Sequence, residues 1–172
     1  QGTSAELIAE QWSLSHEELD EFSAESHRRA AKARQEGRFE REIIPVVTPD
    51  GATASIDEGI RPDSTVETLA KLKPAFKSDG CITAGNSSQI TDGAAAVLIM
   101  SEQRATELGL TPRARFHSFA LAGVDPVSML TGPIPATQKI LQRTGHGLDD
   151  IDLVEINEAF ASVVLAWERE VH

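Results

Sequence analysis

The first forty residues carry the hydrophobic pattern of two helices. The residues Ser15–Glu18 form a capping box, which predicts a helix that begins there and continues to about Gln35. Gly37 follows as the expected left-handed terminator. A second capping box, Thr3–Glu6, predicts a shorter helix through Trp12. The longer helix has a charged outer face, interpreted as solvated surface, and one inward stripe formed by Leu19, Phe22, Ser26, Ala30 and Ala33.

Near residue 80 the pattern changes to an alternation of strands and helices. The residues 94–100 form a continuous apolar run, which is typical of a strand buried on both faces. Further strands are predicted over 81–84, 114–124 and 153–156. Helices are predicted over 102–108, 133–143 and 158–169. This alternation predicts an α/β fold built from layers of sheet and helix.

Composition excludes several classes of partner and site. The 172 residues have 27 acidic and 16 basic side chains and a net charge of −11, so no nucleic-acid partner is expected. No apolar run approaches the length of a membrane span. The single cysteine, Cys81, excludes an intrachain disulfide, is more simply a buried hydrophobe than a nucleophile, and fits a cytoplasmic location. The histidines lack ligand spacing, so no metal site is expected.

Two polar segments are the candidate sites of chemistry. Residues 83–96 place glycines, hydroxyls and amides between two predicted strands, where Ser88 either hydrogen-bonds an amide-rich ligand or satisfies the local backbone. Residues 154–161 place Asn157 directly after a buried strand, at the edge where α/β sheets build their sites. Asn157 there either serves an oxyanion or caps the following helix. The residues alone leave both pairs of alternatives open.

The order of short motifs along the chain resembles the thiolase family, the acetyl-CoA C-acetyltransferases and 3-ketoacyl-CoA thiolases. These motifs are Gly2–Glu6 with Gln11-Trp12, Gly37–Phe39, Leu72–Phe76, Thr83–Ser88, Asp92–Ala96, Gly132–Ala136 and Asn157–Ala161. The resemblance implies a thiolase-like layered αβαβα fold, present only in part. It places the later part of a helical, loop-rich coenzyme A-binding domain in 1–80, the end of the N-terminal core half in 81–112 and the start of the C-terminal core half in 113–172.

The resemblance also implies roles for individual residues. Asn157 matches the asparagine that holds a catalytic water in an oxyanion hole, and Ser88 matches the serine that hydrogen-bonds the pantetheine arm of coenzyme A. Arg61 matches the arginine beside the adenine end. The apolar positions of the pantetheine channel and acyl pocket are matched by Phe76, Ala84, Met129 and Phe160, each of which is otherwise more simply a core residue.

The implied activity of the full-length protein is reversible Claisen condensation and thiolysis between acyl-CoA, acetyl-CoA and 3-ketoacyl-CoA. Coenzyme A thioesters are then substrates, no bound cofactor or metal is implied, and a homodimer or homotetramer is expected. The nucleophilic cysteine, the Gly-His-Pro histidine and the Cys-Gly-Gly cysteine of the family match no position here, so the segment alone is expected to be inactive. Gln89, where many relatives have glycine, adds bulk beside Ser88. The alternatives are a non-catalytic coenzyme A-binding or structural protein, and a condensing or sterol-carrier-type relative without thiolysis.

Overall fold

Helices dominate the fold, which a computed structural model describes for residues 1–172. In chain order the elements are α1 (Gly2–Gln11), α2 (His16–Gln35), β1 (Val46–Val47), β2 (Thr53–Ala54), α3 (Val66–Leu69), α4 (Glu102–Glu107), α5 (Pro133–Thr144) and α6 (Ala161–Val171). β1 and β2 form an antiparallel hairpin, and two 3₁₀ turns, Met129–Thr131 and Leu148–Asp150, flank α5. None of the helices is both long enough and apolar enough to cross a membrane.

α2 has the predicted bounds because its capping signals act locally. The Ser15 hydroxyl accepts the backbone N–H of Glu18 at 3.2 Å, and the Glu18 carboxylate accepts the backbone N–H of Ser15 at 2.8 Å. Gly37, just beyond the helix, has a φ of +69°, which glycine adopts without steric cost. The helix predicted here is therefore confirmed.

The capping box predicted at Thr3–Glu6 is wrong. α1 begins at Gly2, and no side chain caps it. Glu6 is only 4% exposed, and its carboxylate accepts the backbone N–H groups of Cys81 and Ile82, each at 3.0 Å. Charge-assisted hydrogen bonds to a distant segment thus replace the local cap. They attach α1 to the residues that lead into the candidate site.

The hydrophobic core lies where α1, α2 and α6 pack around Ile82. The Ser162 hydroxyl of α6 donates to the Ala5 carbonyl of α1 at 3.1 Å, inside this core. On its other side α6 contacts α5, where the Trp167 indole N–H donates to the Thr137 hydroxyl at 2.9 Å. The residues of the core cluster are Ala5, Ile8, Ala9, Leu14, Leu19, Ile82, Phe160, Ala161, Val163 and Ala166.

The predicted strands of the second half are not paired strands in this structure. Apolar side chains that a sheet would cover are exposed, with Leu98 at 79%, Leu121 at 86% and Leu153 at 90%. An apolar segment becomes a strand only when a neighbouring strand supplies the other half of the hydrogen-bond ladder, and no such ladder forms on these segments. The segments without ladder hydrogen bonds are 81–84, 94–100, 114–124 and 153–156.

The helices of the second half are confirmed more closely, with one correction. α4 and α5 each end within one residue of the predicted position. α6 begins at Ala161 rather than at Glu158, because Phe160 is extended, with φ −148° and ψ 148°, and forms an antiparallel bridge with Ser87. Asn157 therefore lies in the segment before the helix and is not its N-cap.

We expect Glu6→Gln to lower the free energy of unfolding of the full-length protein by about 1–3 kcal/mol. The glutamine keeps one acceptor oxygen but turns an N–H₂ group toward the second backbone N–H, which is left buried and unsatisfied. Denaturant unfolding measures the change. Glu10→Gln, on the same helix, is the matched control, because Glu10 is exposed and pairs with Lys77 at the surface, so that change should cost less than about 1 kcal/mol. Equal losses for the two variants would contradict the buried role of Glu6.

Candidate active site

A polar cavity of about 240 Å³ lies between the middle of α2, the loop that follows Ile82 and the segment before α6. Ser88 and Asn157, two of the predicted site residues, both lie on its wall. The other wall residues are Phe22, Ser23, Ser26, His27, Gly85, Asn86, Ser87, Gln89, Glu158 and Ala161. Hydroxyls and amides outnumber the apolar groups, so the wall can donate to and accept from an amide-rich ligand.

Backbone hydrogen bonds fix the two predicted residues relative to each other. The Ser88 N–H donates to the Ala159 carbonyl at 3.0 Å, and the Ala161 N–H donates to the Asn86 carbonyl at 2.9 Å. Together with the bridge at Phe160, these bonds join the loop and the segment before α6 into one short ladder. The loop that carries the serine and the segment that carries the asparagine therefore form one unit.

The buried amide of Asn86, 3% exposed, organises the loop. Its Oδ1 accepts the Thr83 N–H at 2.9 Å, and its Nδ2 donates to the Cys81 carbonyl at 2.9 Å. The same Nδ2 donates to Oδ1 of Asp20 at 3.2 Å. Asn86 thus fixes the path of the loop and attaches it to α2.

Asp20 is a buried carboxylate whose partners are few. It is 1% exposed, and burial raises the pKa of its carboxyl, while the hydrogen bond from Asn86 and the nearby His16 act in the opposite direction. The His16 Nε2 lies 3.2 Å from Oδ2 of Asp20, but without the alignment of a hydrogen bond, so its contribution is electrostatic. The amide of Asn86 is therefore the aligned side-chain hydrogen bond that this carboxylate receives.

His27 of α2 belongs to the cavity, which corrects the interpretation of this helix face as solvated surface. Its Nδ1 accepts the backbone N–H of Arg61 at 3.2 Å. Burial lowers the pKa of His27, and the neighbouring Arg61 guanidinium lowers it further, while Glu158 acts against them. A neutral imidazole with Nδ1 free to accept is thus favoured at neutral pH. The available signal was the spacing of Asp20, Ser23 and His27 at i, i+3 and i+7, which places three polar residues on one face.

Asn157 is exposed in the segment before α6 and faces the cavity. Since α6 begins at Ala161, the alternative that Asn157 caps this helix is excluded. Its neighbour Glu158 accepts a hydrogen bond from the Ser26 hydroxyl at 2.8 Å, which ties this segment to α2. Asn157 therefore lies on the cavity wall, in a segment held against α2.

The remaining predicted residues lie outside the cavity wall. Phe76 and Phe160 pack edge to face, with ring centroids 6.0 Å apart at 80°, and the Phe76 ring covers Gly2 so closely that a side chain there would overlap it. Ala84 is exposed in the turn of the site loop. Met129, 46% exposed, lies in a 3₁₀ turn that packs against α1 and α6. The structure thus places Ser88 and Asn157 on one cavity, and it places Phe76 and Phe160 in contact with each other elsewhere.

Cys81 has the environment of an unreactive thiol. Burial raises the pKa of Cys81 to about 11, and the Glu6 carboxylate contributes to this rise. The thiol is then protonated at neutral pH, and Cys81 is half-buried at the margin of the hydrophobic core. The structure also assembles no group of three or more His, Cys, Asp or Glu side chains that could hold a metal ion.

Family profiles match both parts of the chain. The profile described as "Thiolase, N-terminal domain" matches residues 1–103, and the one described as "Thiolase, C-terminal domain" matches residues 110–172. The chain therefore belongs to the thiolase family.

Curated relatives agree with this assignment. A 3-ketoacyl-CoA thiolase of Saccharophagus degradans is 54% identical over 176 residues, which cover 99% of this chain and 45% of the relative. A steroid 3-ketoacyl-CoA thiolase of Mycobacterium tuberculosis is 52% identical over 167 residues, which cover 97% of this chain and 40% of the relative. The chain thus spans less than half the length of these curated relatives.

Solved structures show the same fold. The crystal structure of a Bacillus anthracis acetyl-CoA acetyltransferase matches with a TM-score of 0.94 and 46% identity, over 99% of this chain and 44% of that one. The dimeric peroxisomal thiolase of Saccharomyces cerevisiae matches with a TM-score of 0.95 and 42% identity, over 99% and 43%. The predicted fold class, a thiolase fold present in part, is confirmed.

Proposed function

We propose that the full-length protein catalyses thiolase-type acyl transfer, the reversible conversion of acyl-CoA and acetyl-CoA into 3-ketoacyl-CoA and coenzyme A. The proposal rests on one observation, that Ser88 and Asn157 lie on the wall of the same cavity in a chain of the thiolase family. Two loops must meet to form this cavity, and both hold the residue types that the chemistry requires.

During the reaction a thioester oxygen gains negative charge, and the enzyme must stabilise this charge. A cysteine thiolate attacks the thioester carbonyl, the carbonyl oxygen gains charge, and coenzyme A leaves as its thiolate when the acyl-enzyme forms. An amide donor that acts directly or through a held water lowers the energy of this oxyanion. We assign that part to Asn157, because the residue lies on the cavity wall and does not cap a helix.

The other predicted residues bind the substrate in this proposal. Ser88 hydrogen-bonds the amide-rich pantetheine arm, and Arg61 meets the nucleotide end of coenzyme A. A local cation is required there because the chain has a net charge of −11, which repels an anionic ligand. The apolar walls of the pantetheine channel and acyl pocket come from Phe76, Ala84, Met129 and Phe160.

The rest of the catalytic machinery lies, in this proposal, in the remainder of the full-length protein. This applies to the nucleophilic cysteine, the histidine and the second cysteine, which match no residue here. The remainder also supplies, in this proposal, the partner strands for the exposed apolar segments. The chain is divided into the coenzyme A-binding domain over 1–80, the end of the N-terminal core half over 81–112 and the start of the C-terminal core half over 113–172. The full-length protein is further proposed to assemble as a homodimer or homotetramer and to be cytoplasmic.

A thiolysis assay tests the proposal. The full-length protein is supplied with acetoacetyl-CoA and coenzyme A, and formation of acetyl-CoA is followed. Turnover is the expected result. Absence of turnover together with measurable coenzyme A binding would favour the non-catalytic alternative, and absence of both would overturn the proposal.

Ser88→Ala should weaken coenzyme A binding by about 1 kcal/mol, the net value of one hydrogen bond. The measured quantities are the dissociation constant of coenzyme A from titration calorimetry and its KM in thiolysis. Ser78→Ala, in an exposed turn outside the cavity, is the control and should leave both unchanged. A loss of turnover with unaltered affinity would argue against pantetheine binding by Ser88.

A further inference from the structure

The turn 57–61, which carries Arg61, approaches the candidate cavity without belonging to a helix or strand. Its internal hydrogen bond runs from the Gly59 N–H to the Asp57 carboxylate at 2.8 Å. From α2, the Arg34 guanidinium donates to the Asp57 carbonyl at 3.1 Å. These bonds hold the start of the turn, but neither reaches the residues next to Arg61.

Two side chains of the cavity wall hold the second half of this turn. The Gln89 Nε2 donates to the Gly59 carbonyl at 2.6 Å, and the His27 Nδ1 accepts the Arg61 N–H at 3.2 Å. The low pKa of His27 supports the second bond, because it keeps Nδ1 unprotonated at neutral pH. The loop that carries Ser88 and the helix that carries His27 thus meet the turn from two sides.

The contact at Gly59 is close as well as polar. A Cβ at this position would lie 3.1 Å from Oδ1 of Asp57 and 3.4 Å from Oε1 of Gln89. The Gln89 side chain therefore packs directly against the backbone of the turn. The larger side chain of Gln89, beside Ser88, therefore holds the turn 57–61. A glycine at position 89 would leave the Gly59 carbonyl without this donor.

We propose that Gln89 and His27 are positioning residues that hold the turn 57–61 against the cavity and thereby direct Arg61 toward the phosphate-bearing nucleotide end of a coenzyme A thioester. This inference rests on the proposed function. The Arg61 backbone is joined to His27 by the hydrogen bond of 3.2 Å, and the Arg61 guanidinium lowers the pKa of this histidine. In a strongly acidic chain, the placement of such a cation decides whether a polyanionic ligand is attracted or repelled.

The test compares coenzyme A with pantetheine, which has the same thiol arm but no nucleotide. In thiolysis by the full-length protein, Gln89→Met keeps the length of the side chain and removes the donor. We expect it to raise the ratio of the KM for coenzyme A to the KM for pantetheine by roughly three- to tenfold. Gln103→Met, on the exposed helix α4, is the matched control and should leave this ratio unaltered. An unchanged ratio in Gln89→Met would overturn the proposal.

A second pair of variants tests the other contact and guards against a merely structural effect. His27→Met removes the acceptor for the Arg61 N–H and should raise the ratio of the KM for coenzyme A to the KM for pantetheine. His27→Gln offers a carbonyl oxygen as acceptor, so its ratio should be close to that of the unaltered protein. In an Arg61→Ala background, Gln89→Met should cause no further change, because the cation that it positions is gone. Equal effects on both thiols, or additive effects in the double variant, would contradict the positioning role. Absence of thiolysis in the unaltered protein would instead count against the proposed function.

Discussion

Replacement of Asn157 by alanine is expected to lower the turnover of thiolysis by roughly 10²–10³-fold, the range for loss of one oxyanion-hole donor. The residue lies on the cavity wall, in a segment whose backbone is tied to the Ser88 loop by hydrogen bonds of 2.9 and 3.0 Å. That attachment does not involve the Asn157 side chain, so alanine should leave the cavity in place while removing the donor. Because the interaction grows as charge develops on the thioester oxygen, kcat should fall far more than the affinity for coenzyme A changes.

Two further variants separate this role from a general disturbance of the site. Asn157→Asp keeps the shape of the side chain but replaces the amide donor by a carboxylate that repels an oxyanion, so it should be at least as inactive as the alanine variant. Ser88→Ala, on the same cavity, should instead act on binding. Turnover measured under saturating coenzyme A distinguishes the two patterns. Unaltered turnover in Asn157→Ala would remove the assignment of this residue to catalysis.

Local patterns predicted those parts of the fold whose stabilising contacts are also local. The bounds of α2 follow from Ser15, Glu18 and Gly37, which lie within a few residues of the helix ends they determine. The same pattern failed at α1, because Glu6 forms hydrogen bonds with Cys81 and Ile82, 75 and 76 residues away. A capping box shows only that a glutamate is able to cap the helix. The buried backbone N–H groups of Cys81 and Ile82 also need an acceptor, and they take the same carboxylate.

The predicted strands show that a sequence pattern cannot tell whether a partner strand is present. The apolar run 94–100 predicts burial within a sheet, and its composition agrees with that use. Pairing, however, is a property of two segments, and the 172 residues supply no partner for this one. Its exposed side chains therefore agree with a chain that spans 45% of a relative such as the Saccharophagus degradans thiolase.

The candidate site was predictable only where the family resemblance supplied it. Ser88 and Asn157 came from matched motifs, and the structure places both on one cavity. His27 and Asn86 were not predicted as site residues, because their importance depends on which distant segments they meet. A histidine on a charged helix face and an asparagine in a polar loop are ordinary residues until Arg61 and Asp20 are found beside them.

Asn86→Ala is expected to lower the free energy of unfolding of the full-length protein by about 3–5 kcal/mol, because two neutral hydrogen bonds of about 1 kcal/mol each and one to a charged group of about 1.5–3 kcal/mol are lost. The change removes three hydrogen bonds, to Thr83, Cys81 and Asp20, and it leaves the Asp20 carboxylate buried without its aligned donor. Such a loss is a large part of the stability of an ordinary domain, about 5–15 kcal/mol. Denaturant unfolding measures it, and Gln138→Ala on the exposed face of α5 should stay within about 0.5 kcal/mol of the unaltered protein.

The pH dependence of this variant identifies the buried charge as the cause. The folded-state pKa of Asp20 is raised above its ordinary value of 3.8, so within that interval the folded protein holds a proton that the unfolded chain releases, and stability falls as pH rises through it. Loss of the Asn86 donor raises this pKa further and widens the interval. The deficit of Asn86→Ala should therefore be largest at neutral pH and smaller at acidic pH, below the raised folded-state pKa of Asp20. In an Asp20→Ala background, Asn86→Ala should cost much less than it does alone, because no buried charge remains to be compensated. A deficit that is independent of both pH and Asp20 would show that Asn86 stabilises the loop through its backbone contacts alone.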